Sequence, residues 1–185
     1  SAHEAVFFNG PVVEIMTVED LATYEPIQSL GPDVMSDDFD RDEAWRRLQR
    51  HPETEIAVAL LDQTIVAGIG NIFKSEALFA AAVNPRAPVA WISRAEADGI
   101  WTVVTGMMRA NITVTGPLCT TTPELIGEGR RLYVYRQTNK PCAPLPDGRQ
   151  CEGLVEQFRQ GQHPRTTYWC PACQREPERA RAADR

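Results

Sequence analysis

The sequence predicts a mainly α-helical protein with a small β component: a helical domain, then a small unit stapled by cysteines, with strand ends of a larger sheet in front. Three observations carry this expectation. Apolar residues recur at helical spacing over residues 40–83 and again after Ser93; Gly68 and Gly70 break the first of these patterns; and Cys142, Cys151, Cys170 and Cys173 crowd toward the C-terminal end.

Residues 5–16 set apolar β-formers on either side of Asn9-Gly10-Pro11, the pattern of a hairpin or of two strand ends. A lone hairpin is marginal in water, so these strands read as the remnant of a truncated β-rich domain, with Leu30-Gly31-Pro32-Asp33 as the linker leaving it. Residues 40–50 predict a polar helix with Ala44, Trp45 and Leu48 on one face, and residues 53–61 a second helix. A third is expected over residues 73–83, stopping near Asn84-Pro85 because the residue before proline disfavours the helical region. Ser93-Arg94-Ala95-Glu96 has the form of a capping box, and Ala97, Ile100, Trp101, Val104, Met107 and Met108 follow at helical spacing as a core stripe. Residues 113–130, rich in threonine, glycine and proline, read as a long loop. The divisions expected are 1–32 for the sheet remnant and linker, 33–131 for the helical domain, 132–175 for the cysteine-bearing unit and 176–185 for a disordered tail.

The string Ala67-Gly68-Ile69-Gly70-Asn71-Ile72 carries the first chemical signal. Glycines without Cβ atoms let a ligand approach the main chain, and the free N–H groups at the start of the following helix favour an anion such as a phosphate. Asn71 can add a side-chain donor. The competing reading is a tight helix-to-helix joint made for packing alone.

Tyr168-Trp169-Cys170-Pro171-Ala172-Cys173 carries the second. A Cys-x2-Cys knuckle places two thiolates close enough to share a tetrahedral zinc ion, and Cys142 and Cys151 complete a four-sulfur site. Four protein ligands leave no open position for water, so the metal is expected to be structural, contributing on the order of 10 kcal/mol to so small a unit. A redox motif would be expected near a strand-helix-strand unit, and disulfides would need an oxidising compartment that no signal peptide indicates. Eight residues separate Cys142 from Cys151, and their prolines and glycine suggest a loop that turns back to deliver Cys151. His163 is the substitute ligand should Cys151 not reach the metal. Cys119 reads as a free thiol.

Composition sets bounds. With 185 residues and 43% apolar content the chain can bury a real core, and no apolar run is long enough to span a bilayer. A soluble intracellular monomer is expected. The net charge of −6 opposes a nucleic-acid partner until its distribution is read. Residues 1–126 hold eight Lys/Arg against eighteen Asp/Glu, whereas residues 127–185 hold eleven against seven, so the cysteine-bearing end is basic. The acidic residues 33–55 are expected on a face turned away from such a partner.

Leu60-Leu61-Asp62-Gln63, followed by Ala67-Gly68-Ile69-Gly70-Asn71-Ile72, resembles the helix-two-turn-helix module of the formamidopyrimidine-DNA glycosylase and endonuclease VIII family of DNA-repair enzymes. Arg165-Thr166-Thr167-Tyr168-Trp169-Cys170-Pro171-Ala172-Cys173-Gln174 looks like the closing strand of that family's zinc-finger hairpin. The resemblance implies binding to duplex DNA with a damaged base or abasic site. Gly70, Asn71 and Arg165 would then grip its phosphates, Lys74 would reach one from the first turn of the helix or lie solvated on the surface, and the loop after residue 112 would cover the extruded base. A guanidinium suits such a tip because its planar fork can bind two phosphate oxygens.

Three departures accompany the resemblance. The family opens its finger with a second Cys-x2-Cys pair, which this sequence replaces by the wider Cys142–Cys151 spacing. The position at which the formamidopyrimidine branch tends to carry a phosphate-binding lysine is Ala57, which tilts the reading toward the endonuclease VIII branch and oxidised pyrimidines. Family enzymes also begin with a nucleophilic proline followed by a glutamate, whereas this sequence begins Ser1-Ala2-His3-Glu4. No residue is therefore assigned a catalytic role, and the expectation is a C-terminal part of a longer DNA glycosylase and AP lyase that binds DNA without cutting it. The alternatives are a non-catalytic nucleic-acid-binding module and a zinc-stapled protein-interaction module.

Overall fold

A computed structural model describes residues 13–112 and 116–176. Of the expected strands over residues 5–16, residues 5–12 lie outside these, as do Ser1 to Glu4, 177–185 and residues 113–115 of the expected loop; residues 13–16 are described and form no strand. Seven α-helices, one short 3-10 helix (Val89–Trp91) and one hairpin are present among the described residues: α1 (Val18–Leu21), α2 (Glu25–Gln28), α3 (Arg41–Leu48), α4 (Ile56–Ala59), α5 (Asn71–Ala80), α6 (Arg94–Ile112), α7 (Pro123–Gly127), β1 (Glu156–Gln160) and β2 (Arg165–Trp169). A mainly helical fold with one small antiparallel sheet is what the sequence predicts.

Asp40 caps α3 through its side chain, which accepts from the Glu43 N–H at 2.8 Å. Helix α4 is shorter than residues 53–61 would suggest. Its approach pairs instead with the segment after α5: the Ile56 N–H donates to Ala87 O at 2.8 Å, and the Val89 N–H to Thr54 O at 2.9 Å. Helix α5 stops at Ala80, ahead of Asn84-Pro85, where Ala82 adopts a left-handed φ of 54°. Ser93 and Glu96 form the capping box of α6: the Ser93 N–H reaches Glu96 Oε2 at 2.7 Å and the Glu96 N–H reaches Ser93 Oγ at 3.2 Å. Within the expected loop, Pro123 at a first helical position starts the short helix α7, so the stretch is not structureless.

Two apolar clusters organise the chain. The larger joins Leu48, Ile56, Leu60, Val66, Leu78 and Trp101 from the helices and their connections. The stripe on α6 serves it as expected, with Ala97, Ile100, Trp101 and Val104 buried. The second gathers Phe79, Tyr133, Val134, Leu145, Val155 and Cys170, so α5 has one face in each cluster.

Leu30-Gly31-Pro32-Asp33 is not a free linker. The Gly31 N–H donates to Gln63 O at 2.8 Å, the Ala67 N–H to Pro32 O at 3.0 Å, and a Cβ on Gly31 would stand 2.4 Å from Ile65 O. Arg47 fastens the same place, donating from Nη1 to Thr64 O at 2.7 Å and Leu30 O at 3.2 Å.

Much of the acidic run finds arginines. Asp42 pairs with Arg94, Asp37 with Arg109, and Glu43 with Arg46 and Arg47. Glu55 departs from the expected outward face, accepting instead from Gln160 Nε2 of the hairpin at 2.8 Å.

Candidate nucleic-acid interface and metal centre

The turn between α4 and α5 is held by its own side chains. Asp62 Oδ1 accepts from the Thr64 N–H at 2.9 Å, closing an Asx turn. Gln63 spans the loop, donating from Nε2 to Leu61 O and Ile69 O at 3.2 Å each and accepting the Gly68 N–H at 2.9 Å. The two glycines do different work. Gly68 has φ 97°, a conformation that L side chains rarely adopt, whereas Gly70 is extended, with φ −97° and ψ 172°. A Cβ on Gly70 would meet nothing within 4 Å. Gly70 is also the N-cap of α5 and supplies no side-chain acceptor, so the N–H groups of the first turn are left for a ligand.

Asn71 opens α5. Its Nδ2 donates to Thr166 O of β2 at 3.0 Å, and its Oδ1 accepts from Lys74 Nζ at 2.9 Å. Lys74 is not the solvated lysine of the sequence expectation. It is completely buried, and Nζ also donates to Thr167 Oγ1 at 2.6 Å. Burial pulls the ammonium down to about 8 from an ordinary 10.5.

The hairpin pairs Glu156 with Trp169 at its base and Gln160 with Arg165 at its tip. Gly161, at φ 84°, begins the turn, and a Cβ there would lie 3.8 Å from the Val58 methyls of α4. Arg165 is therefore exposed at the tip, as expected. A cleft of about 760 Å³ lies between the α4–α5 turn and this tip, with Gly70 and Asn71 on one wall, Gly161, His163 and Arg165 on the other, and Val58 and Leu61 lining it as well. The structure thus gathers Gly70, Asn71 and Arg165 around one cleft and places Lys74 beneath the surface.

The four cysteines converge, with their sulfurs all within 4.8 Å of one another. Cys142 and Cys173 are 3.7 Å apart, Cys151 and Cys170 3.6 Å, and Cys151 and Cys173 3.2 Å. Sulfurs bonded at about 2.3 Å to one tetrahedral ion would stand roughly 3.8 Å apart, so the set fits a metal. Burial pushes the Cys173 thiol up to about 12 and the Cys142 thiol up as well; a cation at the centre would reverse this.

The long Cys142–Cys151 spacing is accommodated by a turn. The Leu145 N–H donates to Arg149 O at 2.8 Å, Gly148 takes φ 83°, and Cys151 is brought back to the cluster. Gly153 leaves the sulfurs room: a Cβ there would lie 3.0 Å from Cys170 Sγ and 2.8 Å from Ala172. His163, the expected substitute ligand, lines the cleft instead.

Sequence reasoning missed Glu76. Completely buried, its carboxylate accepts from the N–H groups of Tyr133, Val134 and Tyr135 at 2.7, 2.9 and 2.8 Å, and also from the Thr120 hydroxyl. It fastens the segment leading into the cysteine unit onto α5. A charged residue inside an otherwise apolar helical run was the available signal.

A glycine-bearing turn at a helix start, facing the tip of a cysteine-held hairpin across one cleft, defines a class: helix-two-turn-helix proteins with a finger-like hairpin. Residues 30–122, half of the chain, match the family described as the formamidopyrimidine-DNA glycosylase H2TH domain. Endonuclease 8 1 of Mycobacterium tuberculosis is 30% identical over 173 residues, 89% of this chain and 60% of its own length. The formamidopyrimidine-DNA glycosylase of Exiguobacterium is 34% identical over 166 residues, 88% of this chain and 58% of its own. In fold, the chain is similar to the formamidopyrimidine DNA glycosylase of Lactococcus lactis bound to DNA containing an abasic site, with a TM-score of 0.68 at 22% identity, covering 87% of this chain and 55% of that one. The chain belongs to the formamidopyrimidine-DNA glycosylase and endonuclease VIII family, on the endonuclease VIII-like side. It spans about 60% of the length of the curated relatives it matches.

Proposed function

We propose that this chain is the DNA-gripping part of a base-excision-repair glycosylase and AP lyase acting on oxidised bases, with oxidised pyrimidines as the preferred class. Gly70 lets a phosphate approach the main chain, Asn71 and the first N–H groups of α5 donate to its oxygens, and Arg165 closes on the strand from the hairpin tip. Cys142, Cys151, Cys170 and Cys173 hold one structural zinc ion that fixes the tip. The observation that carries this reading is the shared cleft: Gly70 and Asn71, and Arg165 far from them in sequence, line one space. Ala57 supports the pyrimidine preference. It is completely buried and its N–H donates to Pro85 O at 3.3 Å, so no phosphate-binding side chain is offered there. On this reading the chain as given binds damaged duplex without cutting it.

Fluorescence anisotropy with an abasic-site duplex, measured across a salt series, tests the grip. Arg165→Ala should weaken binding and lower the log–log salt slope by about 0.9, the signature of one lost phosphate contact. Asn71→Ala should weaken binding about tenfold with the slope unchanged, because a neutral amide displaces no counterion. Unaltered affinity in both variants would overturn the grip, and a borohydride-trapped protein–DNA adduct would overturn the absence of catalysis.

A further inference from the structure

The chemistry of the cleft depends on which end of the Asn71 carboxamide meets it. An amide oxygen turned to a phosphate repels it, whereas an amide N–H binds it. An ammonium has donors only, so the Asn71 atom that Lys74 Nζ meets at 2.9 Å must be the oxygen. Of the two N–H donors on Nδ2, one is taken by Thr166 O at 3.0 Å, and the other is what Asn71 can offer the cleft it lines. The same ammonium holds Thr167 of the hairpin at 2.6 Å.

We propose that Lys74 is a positioning residue: from a completely buried place beneath the cleft it fixes the amide orientation of Asn71 and ties α5 to β2, so that the free N–H is presented to a phosphate oxygen. This rests on the phosphate-grip reading above. Lys74 forms no ion pair among the described residues, and its two hydrogen-bonded partners, Asn71 and Thr167, are neutral. A cation left unpaired in the interior is costly to keep, and its position bridging the two sides of the grip accounts for it.

A double-mutant cycle tests the inference by duplex anisotropy, with Lys74→Met removing the donors at similar length. Lys74→Met should weaken binding about tenfold when Asn71 is present and less than about twofold in the Asn71→Ala background. The salt slope should not change, since Lys74 touches no phosphate. Equal losses in both backgrounds would overturn the inference, and so would a slope lowered by about 0.9, which means direct phosphate contact. If Asn71→Ala and Arg165→Ala both bind as tightly as the unsubstituted chain, the grip reading fails and this inference with it; unaltered affinity in Asn71→Ala alone, or a grip that survives without coupling to Lys74, sinks this inference alone. Should Lys74→Met not fold, the ¹³C resonance of the Asn71 side-chain carbonyl in the unsubstituted chain carries the test. It should titrate with a midpoint of about 8 as the ammonium loses its proton, and a resonance that stays still overturns the proposal.

Discussion

Lys74 is completely buried, and desolvation pulls its pKa to about 8 from 10.5, which fixes how it acts on stability. Below pH 8 the side chain is ionised both folded and unfolded, and the fold bears the whole cost of burying the charge. Between about 8 and 10.5 the folded chain has released a proton that the unfolded chain keeps, so unfolding takes up a proton and stability rises with pH. Across that window the unsubstituted chain should gain roughly 3 kcal/mol relative to Lys74→Met, read as the difference between urea unfolding curves at each pH. A difference that stays flat would mean Lys74 is solvated or paired. None of this was legible from the residue's neighbours in sequence. A lysine in the first turn of a helix normally snorkels to water, and this one is buried because Thr167, brought in by the hairpin, covers it and accepts its hydrogen bond. The clustering of the four cysteines was legible because their chemistry is carried by residue type and spacing, which survive without knowledge of the packing.

The α4–α5 turn separates two reasons for a glycine that look alike in sequence. Gly68 is required by the backbone: at φ 97° any side chain is strained, and an added Cβ would also press to 3.2 Å from Asp33 Oδ1. Gly70 is required by nothing in the fold, since its φ is ordinary and its Cβ direction is empty to 4 Å. Gly68→Ala should therefore destabilise the chain by about 1–3 kcal/mol in urea unfolding. Gly70→Ala should leave stability within about 0.5 kcal/mol and still weaken abasic-duplex binding, because its methyl occupies the space kept for the strand. Equal binding by Gly70→Ala would show that no ligand comes close there. Element boundaries follow the same division between local and distant causes. The α6 start was readable because the Ser93–Glu96 box is local, whereas α4 is cut to Ile56–Ala59 by pairing with residues 85–89, a cause that periodicity does not contain.

At the scale of the whole molecule, the proposed grip is assembled across two cores of different origin. The larger cluster is made by the helices and their connections, while the second includes two of the proposed metal ligands, Cys142 and Cys170, beside Phe79 and Tyr133. Phe79 of α5 and the Glu76 carboxylate join the second cluster to the helical part, and Gln160 ties the tip to Glu55 and Pro85 O. With an ion present the thiols become thiolates that share its charge. Without one, burial holds the Cys142 and Cys173 thiols protonated, Cys173 up to about 12, and four sulfurs crowded within 4.8 Å have little to keep them together. Chelation should therefore loosen the hairpin and abolish abasic-duplex binding while α3 to α6, packed in their own cluster, persist. Far-UV circular dichroism should keep most of its helical signal. The fluorescence of Trp169, which stacks edge-on with Phe158 at 5.9 Å, should shift toward that of a solvated indole, and Trp101 in the helical core should not move. Returning zinc should restore binding and release protons from the thiols, measurable in a weakly buffered titration. Duplex binding that outlasts complete removal of the metal would show that the tip is positioned by Glu76, Gln160 and apolar packing alone, and the ion would then have no part in the grip.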